Sequence, residues 1–143
     1  TMSIAVTAAE MGILVMGTLH TNGAAPTVDR IVNVFPADKQ SHVRTMLSTS
    51  LRGVVSQQLL AKADGKGRVA ALEILINTPA VANLIRQGKL DQLETTMQSG
   101  SSFGMRTMDN AISALLDQKL ITGKEAYKKG INKAKFEPVK DQA

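Results

Sequence analysis

The stretch LVMGTLHTNGAAPTVDRIVNVFP, Leu14 to Pro36, decides the fold. It opens in a short continuous apolar run, Ile13 to Leu19, which reads as a strand buried on both faces of a parallel sheet. Residues 20–26 are small or polar and read as a loop. Beyond them Val28, Ile31, Val32 and Phe35 recur at helical spacing, so one face of a helix over 27–35 is apolar, and Phe35-Pro36 ends it. A polar cluster at the carboxyl end of a buried strand is where parallel α/β folds place their chemistry. Here the cluster is Gly17-Thr18-Leu19-His20-Thr21-Asn22, and His20 is one of only two histidines.

Working outward, residues 3–11 read as the end of a helix stopped by Gly12. A second helix is expected over 38–52, with Val43, Met46, Leu47 and Leu51 as its apolar stripe. Residues 53–62 and 68–76 read as two arms of a hairpin around Asp64-Gly65-Lys66-Gly67, although the first arm is also compatible with a helical start. Thr78-Pro79 is a helix start, with Thr at the N-cap and Pro in the first helical position, and Gly88 follows the end at Gln87. Leu90, Leu93 and Met97 mark a further helix, and Gly100 to Gly104 a flexible break. Met108, Ala111, Ile112, Leu115 and Leu116 mark the strongest helix of the chain. Thr122-x-x-Glu125 is a capping box for a short last one, and 131–143 read as a frayed tail.

The 143 residues, 43% of them hydrophobic, suffice for one core. No apolar run reaches the roughly 20 residues of a membrane-spanning helix, and no secretory signal pattern opens the chain. Without cysteine there is neither a disulfide nor a thiolate zinc site, and two histidines without supporting carboxylate spacing predict no metal site. The net charge of +5 comes largely from Lys124, Lys128, Lys129, Lys133, Lys135 and Lys140. Basic charge permits nucleic acid or an acidic surface. The lysines lack the interleaved aromatics of single-strand binders, so a solvated helix and tail is the favoured reading and no nucleic-acid partner is expected. Ser48, Ser50 and Ser56 lack a histidine at nucleophile spacing, and His42 reads as a partly exposed helix histidine beside Val43.

The order Gly17-Thr18-Leu19-His20-Thr21, then Thr27-Val28-Asp29-Arg30-Ile31 and Val34-Phe35-Pro36, resembles the His-box region of the secretion ATPase superfamily, and within it the type IV pilus retraction ATPases. The likeness runs from Thr7-Ala8-Ala9-Glu10 to about Ile121. The resemblance implies an α/β fold: the C-terminal portion of a RecA-like P-loop ATPase domain with a β-hairpin and a helical appendage. The expected divisions are 1–78 for the partial ATPase core, 79–130 for a helical subdomain and 131–143 for a flexible tail. It implies a hexameric motor that disassembles pili for twitching motility. Such a motor is cytoplasmic, peripheral to the inner membrane and in contact with the pilus platform protein there.

A P-loop needs Gly-x-x-x-x-Gly-Lys followed by Ser or Thr. The pairs Gly65-Lys66, Gly88-Lys89 and Gly123-Lys124 are followed by Gly67, Leu90 and Glu125, so none qualifies. By resemblance the P-loop and the magnesium carboxylate lie upstream of Thr7. The chain is therefore expected to be part of a larger ATPase that uses ATP and Mg2+, and to bind neither and be inactive alone.

The resemblance gives His20 the role of a sensor of the γ-phosphate or attacking water. Thr18, Thr21 and Asn22 beside it read either as nucleotide-vicinity groups that orient His20 or water, or equally as ordinary loop and cap residues. Asp29 and Arg30 fall on the polar side of the following helix, where the resemblance implies a subunit contact. Ala80 to Gln87 resembles the retraction helix, matching at Asn83, Leu84, Ile85 and Arg86. It departs at Ala82 and Gln87, where the family carries Arg and Glu. Gln57-Gln58-Leu59-Leu60 runs on without the cysteine-rich zinc insertion of assembly ATPases, which favours the retraction branch. Rival readings are a secretion paralogue, a non-enzymatic module docking on a pilus or secretion motor, and, last, a nucleic-acid binder.

Overall fold

A computed structural model describes residues 1–143. Helix α1 spans Met2–Glu10, α2 Ala24–Asn33 and α3 Gln40–Ser50, the last entered through a 3-10 turn at Ala37–Lys39. Strands β1 (Gly53–Ala61) and β2 (Arg68–Ile76) follow, then α4 (Pro79–Gln87), α5 (Leu93–Ser99), α6 (Met108–Asp117), α7 (Gly123–Lys129) and α8 (Lys133–Phe136). No helix is long and apolar enough to cross a membrane.

The hairpin is regular and antiparallel, with Gly53 opposite Ile76 and Ala61 opposite Arg68. The helical alternative for its first arm does not hold. Its two faces follow the period-2 rule: Ser56, Leu60, Ala71, Glu73 and Leu75 point inward and are buried. One further antiparallel bridge joins Ile74 to Arg106, with reciprocal bonds of 2.8 and 3.0 Å, and so ties β2 to the approach of α6.

The hairpin connects two cores. Leu75 lies in the first, with Val28 and Val32 of α2, Val43 and Leu47 of α3, Val81 and Ile85 of α4, and Leu93 and Met97 of α5. Leu60 and Ala71 lie in the second, with Met108, Ala111 and Ile112 of α6, Ile121, Ala126 of α7 and Phe136 of α8. Each fully buried side chain of this size contributes about 1.5–3 kcal/mol of transfer free energy. The expected division at 78/79 is therefore not a packing boundary. Residues Val81 to Met97 complete the first core, and the segments from Met108 onward form the second with Leu60 and Ala71 of the hairpin.

Two expectations are corrected. Ile13 to Leu19 forms no strand: no backbone group of residues 14–22 makes a backbone hydrogen bond, and Leu14 and Met16 are 79% and 88% exposed. A parallel strand requires neighbours on its edges and cover on its faces, and the one sheet of the chain is the two-stranded hairpin. The tail is not frayed from 131. Phe136 is 2% exposed in the second core, and both carboxylate oxygens of buried Asp109 accept backbone bonds, from Ile131 N–H at 2.8 Å and Asn132 N–H at 3.0 Å. Likewise Gly100 to Gly104 is an ordered 3-10 turn leading into buried Met105.

Smaller differences are instructive. Helix α2 begins at Ala24, three residues before the expected start, because Pro26 falls in its first turn, where an N–H has no helical partner to lose. The capping box at α7 is half formed. Thr122 Oγ1 accepts from Glu125 N–H at 3.1 Å, but the Glu125 carboxylate accepts from Ala61 N–H at 3.0 Å and pins α7 to the hairpin instead.

Candidate functional site

The polar cluster sits where the irregular 13–23 segment turns into α2. Gly23, at φ +127°, makes the turn; a side chain there would be strained and would meet Pro26 Cδ at 3.3 Å and Glu73 Oε1 at 3.4 Å. The Thr27 hydroxyl donates to the Gly23 carbonyl at 2.7 Å. Its single proton is thus committed, so in the 2.6 Å contact between the two threonines the Thr21 hydroxyl donates to Thr27 Oγ1. This lock fixes Thr21 to the first turn of α2. Thr18, His20 and Asn22 are exposed and make no hydrogen bond within the chain, so their donors and acceptors face outward.

Asp29 and Arg30 lie on the exposed face of α2. Asp29 accepts from Asn33 Nδ2 at 3.0 Å, and Arg30 forms no ion pair; the chain's one salt bridge is Lys140–Glu137. On α4 the four residues of the expected retraction motif divide. Ile85 is fully buried, Leu84 is half-buried against the first core, and Asn83 and Arg86 are exposed. Thr78 Oγ1 accepts from Val81 N–H, and Gly88 closes the helix at φ +71°. The departures are simple substitutions on this helix, with Ala82 half-buried and Gln87 donating to Asn83 at 3.3 Å. The structure thus brings Thr21 into direct contact with α2, and packs α2 and α4 into one core, but leaves His20 without a partner.

Glu73 was not singled out in the sequence. It is a carboxylate on the inward face of β2, 5% exposed, and its Oε1 accepts from Ala24 N–H, the first amide of α2, at 2.8 Å. The signal was a charged residue at a position whose alternation is apolar: Leu75, Ala71 and Glu73 share one face.

A groove of about 970 Å3 lies between α1, residues 12–19 and the start of β1. Its lining is largely aliphatic, including Ile13, Leu14, Val15, Leu19, Val54 and Val55, and Arg52 is its one basic side chain. Such a surface suits packed apolar chain. It does not fit a triphosphate, which calls for several amide or cationic donors.

A polar loop carrying an outward-facing histidine leads into α2, and a hairpin and a helical cap follow. The family model described as type II/IV secretion system protein matches residues 1–126, and the chain belongs to that family. It is 54% identical over 132 residues to a twitching motility protein of Neisseria gonorrhoeae, covering 92% of this chain and 35% of that protein. It is 51% identical over 129 residues to the type IV pilus retraction ATPase PilT of Pseudomonas aeruginosa, covering 90% and 37%. Its fold matches a crystal structure of the pilus retraction motor PilT with bound ADP at a TM-score of 0.83 and 43% identity, over 95% of this chain and 38% of that one. The chain spans about a third of the length of these relatives.

Proposed function

We propose that the chain is the C-terminal ATPase-domain portion of a hexameric motor that retracts type IV pili by ATP hydrolysis. The observation that carries this reading is the His-box run, Gly17 to Thr21 with Thr27 to Ile31, within a chain more than half identical, over nine-tenths of its length, to a twitching motility protein and to a pilus retraction ATPase.

In this reading the phosphate cradle and the magnesium carboxylate belong to sequence outside this chain, whose Gly-Lys pairs fit no P-loop, and the chain alone does not hydrolyse ATP. Bound ATP and Mg2+ supply the transferable phosphoryl group and the charge that neutralises its oxygens. His20 stands free to donate a hydrogen bond where negative charge develops. Thr18 and Asn22 offer further outward polar groups beside it, and the Thr21–Thr27 lock holds the loop at the helix start. Exposed Asp29 and Arg30 serve as a contact to the neighbouring subunit. Asn83 and Arg86 present the exposed side of the retraction helix, while Leu84 and Ile85 hold it to the core. The motor works at the cytoplasmic face of the inner membrane, peripheral to it, against the pilus platform protein.

The test is His20→Ala in the full-length gene product. ATP turnover is expected to fall by about 10²-fold, the scale of losing one aimed donor, with the hexamer intact by sedimentation. Unchanged turnover in an intact hexamer would refute the sensor role. An immunoblot of the native product with an antibody to this chain tests the parent itself. A band far above 15.2 kDa is expected; a single band at that mass would replace the motor reading with a docking module.

A further inference from the structure

Glu73 carries more than one helix start. Its second oxygen, Oε2, accepts from Met108 N–H at 3.0 Å, the first amide of α6. The carboxylate has no cationic partner; it is bonded by two amides that belong to two helices 84 residues apart in sequence (108 − 24 = 84) and to two different cores. Each helix is ten residues long and offers unsatisfied N–H groups and the positive end of its dipole there. A buried carboxylate is costly unless it is fully bonded, so Glu73 holds both amides or neither arrangement is stable.

We propose that Glu73 is a positioning residue that couples the His20 loop to the α6–α8 core. The path is short and specific. Glu73 fixes Ala24 N–H, Ala24 follows the Gly23 turn, the Gly23 carbonyl receives Thr27, and Thr27 receives Thr21, next to His20. At the other oxygen, Met108 opens α6, whose Asp109 in turn holds Ile131 and Asn132. A shift of the second core against the hairpin therefore moves the carboxylate and, with it, the loop that presents His20. No apolar residue at position 73 can make this link. Gln cannot either, because its single carbonyl oxygen accepts in one direction and its NH2 faces a second donor.

The test uses the 143-residue chain with its two histidines as internal reporters. In Glu73→Gln the imidazole resonances of His20 and the amides of Thr21, Asn22 and Met108 are expected to shift, while those of His42, exposed in the first turn of α3, stay in place. Positions of His20 and its loop identical to the parent chain in a folded Glu73→Gln would overturn the proposal, since general destabilisation does not displace folded-state resonances. Should Glu73→Gln fail to fold, Glu73→Asp keeps the charge but is one methylene too short to span both helices, and the same comparison applies. A third measurement needs no variant: couplings across the hydrogen bonds from the Ala24 and Met108 nitrogens to the Glu73 carboxyl carbon are both expected, and absence of either overturns the bridge.

The consequence for hydrolysis rests on the motor reading above. There Glu73→Gln in the full-length ATPase is expected to lower kcat about tenfold to a hundredfold with KM unchanged. A shifted His20 with unaltered kcat would count against the sensor role while leaving the positioning intact.

Discussion

The two ends of the chain differ in composition, and each behaves against what its composition suggests. Ile13 to Leu19 is the most continuous apolar run around the site, yet residues 14–18 lie exposed and without a backbone hydrogen bond. Residues 131–139 are lysine-rich and polar, yet they are seated by Phe136 and by the Asp109 carboxylate. Burial is decided by available partners rather than by hydrophobicity alone. A helix can satisfy its own backbone and needs only one face covered; a parallel strand needs both edges and both faces supplied by other segments. The second core finds its partners within the chain, and residues 14–18 ahead of His20 find none there.

The strongest way to break this contrast is at Phe136. Replacing it with Ala is expected to cost about 3–5 kcal/mol, the range for a buried aromatic truncated to a cavity. Denaturant unfolding of the chain measures it. A cost below about 1 kcal/mol would mean that the tail is not seated and that the frayed expectation was right after all.

Asp109→Ala acts on the same seat through hydrogen bonds. Two amides, Ile131 and Asn132, lose their acceptor, and α6 loses a negative charge in its first turn. The expected loss is about 1–3 kcal/mol. Limited proteolysis sharpens the assignment, because new cleavage should be confined to the lysines from Lys133 onward. Cleavage spread evenly over the chain would point to global destabilisation instead.

Much of this architecture was legible because its signals are local. The hairpin arms, the Thr78-Pro79 start, the Gly88 stop and the α6 stripe depend on caps, turns and periodicity within ten or so residues, and each lies where expected. What escaped was non-local. The Glu73 bridge joins Ala24, Glu73 and Met108, and no spacing rule connects them. Phe136 reads as a lone aromatic among lysines until α6 and α7 are placed beside it. At the site, the position of Arg30 outside the core followed from the helical pattern of α2, and that of His20 from its place in the polar loop before it. The Thr21–Thr27 lock did not, because its geometry depends on the Gly23 turn.

Thr122→Ala probes a purely local element within the self-sufficient half. The N-cap bond to Glu125 N–H is lost, while the Glu125 carboxylate keeps its bond to Ala61. The expected cost is about 1 kcal/mol, read from the unfolding midpoint, and Thr122→Ser should restore most of it. A much larger effect would mean that α7 is held by its cap rather than by Ala126 and the hairpin.

The smallest effect is expected at the most hydrophobic place. Leu14→Ala removes a large side chain that is already in water, so the stability of this chain should change by no more than about 0.5 kcal/mol. The amides of residues 14–19 should exchange with solvent freely, since none is hydrogen-bonded. In the full-length motor of the proposed reading, neighbouring strands are available to the same segment. There the same substitution should cost about 2–5 kcal/mol, as in other buried leucines, and the amides should become protected. The two measurements together separate the alternatives. Protection in the longer protein alone means that the segment is a strand waiting for its sheet. Slow exchange already in this chain would mean that the exposed conformation is wrong, and with it the contrast between the two ends.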